Sequence, residues 1–141
     1  MTIPPPKLVR LQGGDATTAN ALKAVQEFAE RAGLPDAMRS DLLVVTDEIV
    51  SNLLKYGGLP PERVELEVRA SIEDGALTLQ FADNGRPFDP LSAPAPALDV
   101  PVNQRPIGGL GIHLVRSLTD SQRYARSEGR NVLVLTRAVG L

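Results

Sequence analysis

Three segments with helical periodicity and two with hairpin patterning predict an α/β domain whose sheet is mixed or antiparallel. The clearest helix runs from about Asp36 to Tyr56, and the clearest strand from Arg63 to Ile72, where every second residue is apolar. A glycine-opened helix that follows a proline-rich loop completes the pattern.

The chain has 141 residues, 43% hydrophobic and 23% charged. A domain of roughly 150 residues buries about 68 to 70% of its unfolded surface, so one core suffices and residues 1–141 are read as a single domain. With only 4% aromatic residues, that core is expected to be built from Leu, Val, Ile and Ala.

Pro4 to Pro6 give residues 1–6 the character of a short extended tail. It leads into Lys7 to Leu11, short and apolar enough for an edge strand. From Ala16 to Ala32, Leu22, Val25, Ala29 and Ala32 recur at helical spacing, and Gly33 with Pro35 supplies the stop. In the second helix Leu42, Leu43, Val45, Ile49, Val50, Leu53 and Leu54 fill one arc of the wheel. Asp41, Glu48, Asn52 and Lys55 gather opposite, although Thr46 falls within the apolar arc. The helix ends at Gly57-Gly58.

Val64, Leu66, Val68, Ala70 and Ile72 form one face of the first long strand, and Asp74-Gly75 is a hairpin signal leading to Ala76–Ala82. Gln122 to Arg126 and Asn131 to Arg137 read as a second hairpin around Glu128-Gly129. Between the two pairs, residues 86–107 hold six of the twelve prolines. A structureless loop beyond about 12 to 15 residues is uncommon inside a compact domain and is usually functional or disordered, so this one is a lid candidate. Leu110, Leu114 and Leu118 mark the third helix.

Fifteen basic and seventeen acidic residues leave a net charge of −2, which counts against direct binding to a nucleic-acid backbone. The absence of cysteine excludes disulfides and thiolate metal sites, and the single His113 cannot build a histidine-rich zinc site. A metal would be oxygen-ligated, as Mg²⁺ is. With neither a signal core nor an apolar run of the roughly 20 residues that span a bilayer, the expectation is a cytoplasmic protein without membrane contact.

Three motifs could carry chemistry. Glu48 and Asn52 stand one helical turn apart, where a carboxylate could take a proton from a hydroxyl and an amide oxygen could hold Mg²⁺. Alone, the pair also fits a solvated helix face. Asp83 ends a strand before Asn84-Gly85; an ionised carboxylate there only accepts hydrogen bonds, which suits the amine of adenine, and Gly85 would let backbone approach the ring. An isolated Asp-Asn-Gly fits an ordinary turn equally. Gly108-Gly-Leu-Gly111 could offer backbone N–H groups to phosphate at a helix start, or serve as a flexible joint. His113 is read as a packing or surface residue. The Walker loop and the H-R-D and D-F-G set are absent, so nucleotide binding would need another design.

In this order the motifs resemble the GHKL (Bergerat) ATPases, and within them the RsbW-like anti-sigma-factor serine kinases. The resemblance covers roughly Asp15 to Arg137, through Asp47-Glu-Ile-Val-Ser-Asn52 with Tyr56-Gly57, Ala82-Asp-Asn-Gly-Arg-Pro-Phe-Asp89, Gly108 to Val115 with Asp120, and Gly129-Arg-Asn-Val132. It implies a two-layer α/β sandwich, with a mixed, mostly antiparallel sheet, helices on one face and residues 86–107 as an ATP lid.

It further implies ATP and Mg²⁺ as cofactors, Glu48 as general base, Asn52 as metal ligand, and Asp83 and Gly85 at adenine. Gly108, Gly109, Leu110 and Gly111 would surround phosphate, and Asn131 would join the nucleotide site. The lid of several family kinases carries threonine and lysine near the phosphates, whereas Leu91 to Pro106 here offers Ala, Pro, Asn103, Gln104 and Arg105; Arg105, the only cation in that stretch, is the candidate contact to the γ-phosphate or the partner. The implied partners are a STAS-domain anti-sigma-factor antagonist, phosphorylated on serine, and a sigma factor; such kinases commonly form homodimers. A non-catalytic ATP-sensing module is the alternative. A detached sensor-histidine-kinase ATPase domain ranks below both, because no phosphoacceptor-histidine helix pair precedes the motifs.

Overall fold

The computed structural model describes residues 3–92 and 109–140. Five strands, β1 (Lys7–Gln12), β2 (Glu65–Glu73), β3 (Ala76–Asp83), β4 (Ser121–Ser127) and β5 (Arg130–Ala138), form one sheet in the order β1-β2-β3-β5-β4. Helices α1 (Thr18–Arg31), α2 (Asp36–Tyr56) and α3 (Gly109–Leu118) contribute to a core shared with one face of that sheet.

Among the described residues every pairing is antiparallel, the second of the two sheet types that the hairpins predict. The reason lies in the connection from β3. It places β4 two strand positions from β3 and parallel to it, and the tight return of β5 fills the gap with an antiparallel neighbour on both sides. Both hairpins turn through two left-handed residues, Asp74 (φ 52) with Gly75 (φ 75) and Glu128 (φ 52) with Gly129 (φ 76), the conformation that matches strand twist.

The register carries the alternation of the sequence into the core. Leu79 faces Ala70 and Leu135, and Phe81 faces Val68 and Leu133, all on the helix-covered side. The opposite face carries Arg10, Glu67, Glu65 and Arg130, joined by ion pairs of 3.3 Å (Arg10–Glu67) and 3.2 Å (Arg130–Glu65). Such exposed pairs contribute about 0 to 1 kcal/mol, so burial on the other side holds the sheet. Leu79 is fully buried in the sheet's central strand. Leu79→Ala is expected to cost about 2 to 5 kcal/mol, read as a lowered denaturant midpoint with unchanged m.

The helices explain two features of the sequence. Thr46, the polar residue in the apolar arc of α2, is fully buried, and its Oγ1 donates to the Leu42 carbonyl at 2.8 Å, which satisfies the hydroxyl inside the core. In α3, Ile112 and Val115 enter the core and Leu118 packs against it in part, whereas Leu114 is 41% exposed. Residues 114 and 115 differ by about 100° around the axis, so their side chains leave the helix on different faces. Thr17 caps α1 by accepting the Asn20 N–H at 3.1 Å. No described helix is long and apolar enough to cross a membrane.

Candidate functional site

Asp83, the last residue of β3, lies opposite Asn131 in the β3–β5 register, and both are buried, each 7% exposed. Asp83 Oδ1 accepts the Gly85 N–H at 2.9 Å and an Asn131 Nδ2 hydrogen at 3.1 Å. Asn131 also donates to the Arg86 carbonyl at 2.8 Å, and its Oδ1 accepts from the Tyr124 hydroxyl at 2.5 Å and the Phe88 N–H at 3.1 Å. Both amide hydrogens and both lone pairs are thus used. The result is a rigid clamp that fixes the carboxylate through one of its oxygens.

That carboxylate lines a partly open cleft between α2 and the end of the sheet. Ile49 and Leu53 supply one wall, Phe81 and Leu133 the floor, and Phe88, Pro90 and Tyr124 the rim. Asn52 enters the same cleft from α2 and is 9% exposed. An apolar slot with a few fixed polar groups is the usual form of a small-molecule site.

One turn before Asn52, Glu48 is half-buried, and its side chain fills the space that Gly111 of α3 leaves open. Glu48 and Asn52 therefore do not lie on a solvated face, although Lys55 of the same stripe is exposed. The pair runs from the cleft to the first turn of α3.

Gly85 has a use that the sequence did not suggest. A Cβ there would stand 2.9 Å from Asp83 Oδ1 and 3.0 Å from the Gly57 Cα, so the missing side chain admits the end of α2 to the chain leaving β3. The Arg86 N–H donates to the Gly57 carbonyl at 2.9 Å, Arg86 Nε to the Tyr56 carbonyl at 2.8 Å, and Arg126 Nη1 to the Gly85 carbonyl at 2.7 Å. Asn84 ties the same turn to β2 by accepting the Glu65 N–H at 2.8 Å.

The profile of the Histidine kinase-like ATPase domain matches residues 13–137. The chain belongs to this family. It is 32% identical over 124 residues to the serine/threonine-protein kinase BtrW of Bordetella bronchiseptica, an alignment spanning 86% of each chain. With the serine-protein kinase RsbW of Listeria innocua it shares 28% identity over 111 residues, 76% of this chain and 71% of that one. The crystal structure of the RsbU and RsbW domains of Rv1364c from Mycobacterium tuberculosis has the same fold, with a TM-score of 0.68 and 17% identity over 96% of this chain. The chain spans 33% of that crystallised chain. As an RsbW-like histidine kinase-like ATPase, the protein is an ATP-dependent protein kinase.

Of the residues singled out from the sequence, Asn52, Asp83 and Asn131 share the cleft, and Glu48 meets Gly111 one turn along α2 from Asn52. Gly85 packs on Gly57 beside it. Gly109 and Leu110 open α3. Arg105 and Gly108 lie outside the described residues, as does the lid candidate from residue 93 to 107. Its described beginning contains a short 3₁₀ turn, Pro90–Ser92, and Arg116 of α3 donates to the Leu91 carbonyl. His113 is exposed, as expected for a surface histidine.

Sequence reading missed Phe88, Tyr124 and Arg126. Strand alternation could have placed Tyr124 on the core face, but its bond to Asn131 depends on the β4–β5 register. Phe88 offered a weaker signal, an aromatic ring just after a turn, and it packs on Tyr56 with ring centroids 5.5 Å apart.

Proposed function

We propose that this chain is an ATP- and Mg²⁺-dependent serine kinase of a partner-switching circuit, which phosphorylates a serine on a STAS-domain anti-sigma-factor antagonist and acts as the anti-sigma factor in turn. One observation carries the nucleotide part: a buried carboxylate, Asp83, locked through Oδ1 at the bottom of an apolar-walled cleft. An acceptor-only group in that position selects a flat apolar ring bearing an amine, as adenine does.

The rest of the cleft supports the same reading. Asn52 lines the cleft and could supply an amide oxygen there, and the described residues contain no cluster of three His, Cys, Asp or Glu side chains that could hold a metal by themselves. That donor set suits Mg²⁺, which keeps several waters and is otherwise bound by substrate phosphates. The metal, when bound, neutralises charge on the phosphates. The first turn of α3, beginning at Gly109, directs free N–H groups toward the anion. Glu48 accepts the proton of the serine hydroxyl as its Oγ bonds to the γ-phosphorus; the bond from that phosphorus to the bridging oxygen breaks, and ADP departs with the electron pair. Arg105 is assigned to the γ-phosphate or the docked partner.

The test is a Mg²⁺-ATP titration followed by incubation with STAS-domain proteins of the same genome, read by mass spectrometry. Phosphoserine on one of them is the expected result. Absence of Mg²⁺-dependent ATP binding overturns the whole reading, and binding without any phosphoserine leaves the nucleotide-sensing module in its place.

A further inference from the structure

Gly111 is buried in the first turn of α3, and a Cβ built on it would overlap three atoms of Glu48: Oε1, Cδ and Cγ. The helix cannot easily move aside to make room. Arg137 Nη1 donates both to Asp41 Oδ2 at 2.8 Å and to the Leu118 carbonyl at 3.2 Å, tying the early part of α2 to the last residue of α3. Ile112 and Val115 anchor the middle of α3 in the core. With Asp41 near Leu118 and Glu48 at Gly111, the two helices run antiparallel, and the slot beside Gly111 is set at both ends.

We infer that Gly111 is a positioning residue for Glu48: its missing side chain forms the slot that holds the carboxylate against α3. This rests on the reading of Glu48 as the base and adds a role for Gly111 distinct from offering its backbone to phosphate. A methyl group at 111 fills the slot, and the flexible part of the conflict is the carboxylate, which is displaced while α3 stays in place.

The experiment compares Gly111→Ala, Glu48→Ala and the double variant for Mg²⁺-ATP affinity, single-turnover phosphoryl transfer and thermal midpoint without nucleotide. Gly111→Ala is expected to slow transfer at least about tenfold while ATP affinity stays within about threefold. In the Glu48→Ala background the same substitution should slow transfer no further, because the group it displaces is gone. Alanine ordinarily stabilises a helix relative to glycine, so the midpoint should rise more in the Glu48→Ala background than in the parent.

Equal midpoint shifts in both backgrounds would overturn the slot. So would weakened ATP binding with unchanged transfer, which is the pattern of a purely phosphate-binding glycine. If Gly111→Ala alone fails to fold, a folded double variant supports the slot and an unfolded one refutes it. Wild-type-like transfer by Glu48→Ala marks failure of the base assignment instead, and the midpoint comparison still decides the slot.

Discussion

Glu48→Ala is expected to slow phosphoryl transfer by about 10²- to 10⁴-fold, the usual effect of removing a general base, while Mg²⁺-ATP affinity stays within about threefold. The two effects separate because of where Glu48 lies. It is absent from the cleft that holds Asp83, Asn52 and Asn131, and its contact is with Gly111 at the start of α3. Truncating it removes no wall of that cleft. The half-buried carboxylate makes no hydrogen bond to a described partner that its loss would orphan, so folding should survive the change. Single-turnover transfer to a STAS partner gives the rate and isothermal titration the affinity. Transfer at the parental rate would remove Glu48 from the mechanism.

Glu48 also shows how far the sequence reaches. The i, i+4 spacing to Asn52 placed both on one helical face, but spacing alone left open whether water or protein covered that face. The answer depends on the tertiary packing of α3 against α2. The third helix was legible as a helix, yet the leucine spacing that marked it does not define its buried face, since Leu114 is exposed and Ile112 and Val115 are buried. Ten residues starting in glycines give periodicity too little length to fix a rotation. The two hairpins were legible to within a residue or two, because Asp74-Gly75 and Glu128-Gly129 impose local geometry that no distant contact has to decide. Sheet order was not, and with it went the pairing of Asp83 with Asn131 on which the clamp depends.

Asp83→Asn should weaken ATP binding by about 10²-fold or more with little loss of stability, and the asymmetry follows from the clamp. Oδ1 accepts two hydrogen bonds, from the Gly85 N–H and from Asn131 Nδ2, so the single oxygen of an asparagine must stay on that side to keep both donors satisfied. Its NH₂ then faces the cleft where the carboxylate offered an acceptor. An amine on the bound ring meets a donor in place of an acceptor. Losing a hydrogen bond to a charged group costs about 1.5 to 3 kcal/mol, and leaving a buried donor unpaired costs about 1 to 3 kcal/mol more, which together reach the stated range. The variant's new donor suits a ring carbonyl, so GTP should lose far less affinity than ATP and the ratio of the two should narrow. Titrating both nucleotides against the parent and the variant separates this from general damage to the cleft, which would weaken them alike. Unchanged ATP affinity, with the thermal midpoint also unchanged, would mean that Asp83 holds the turn through Gly85 and Asn131 and reads no base.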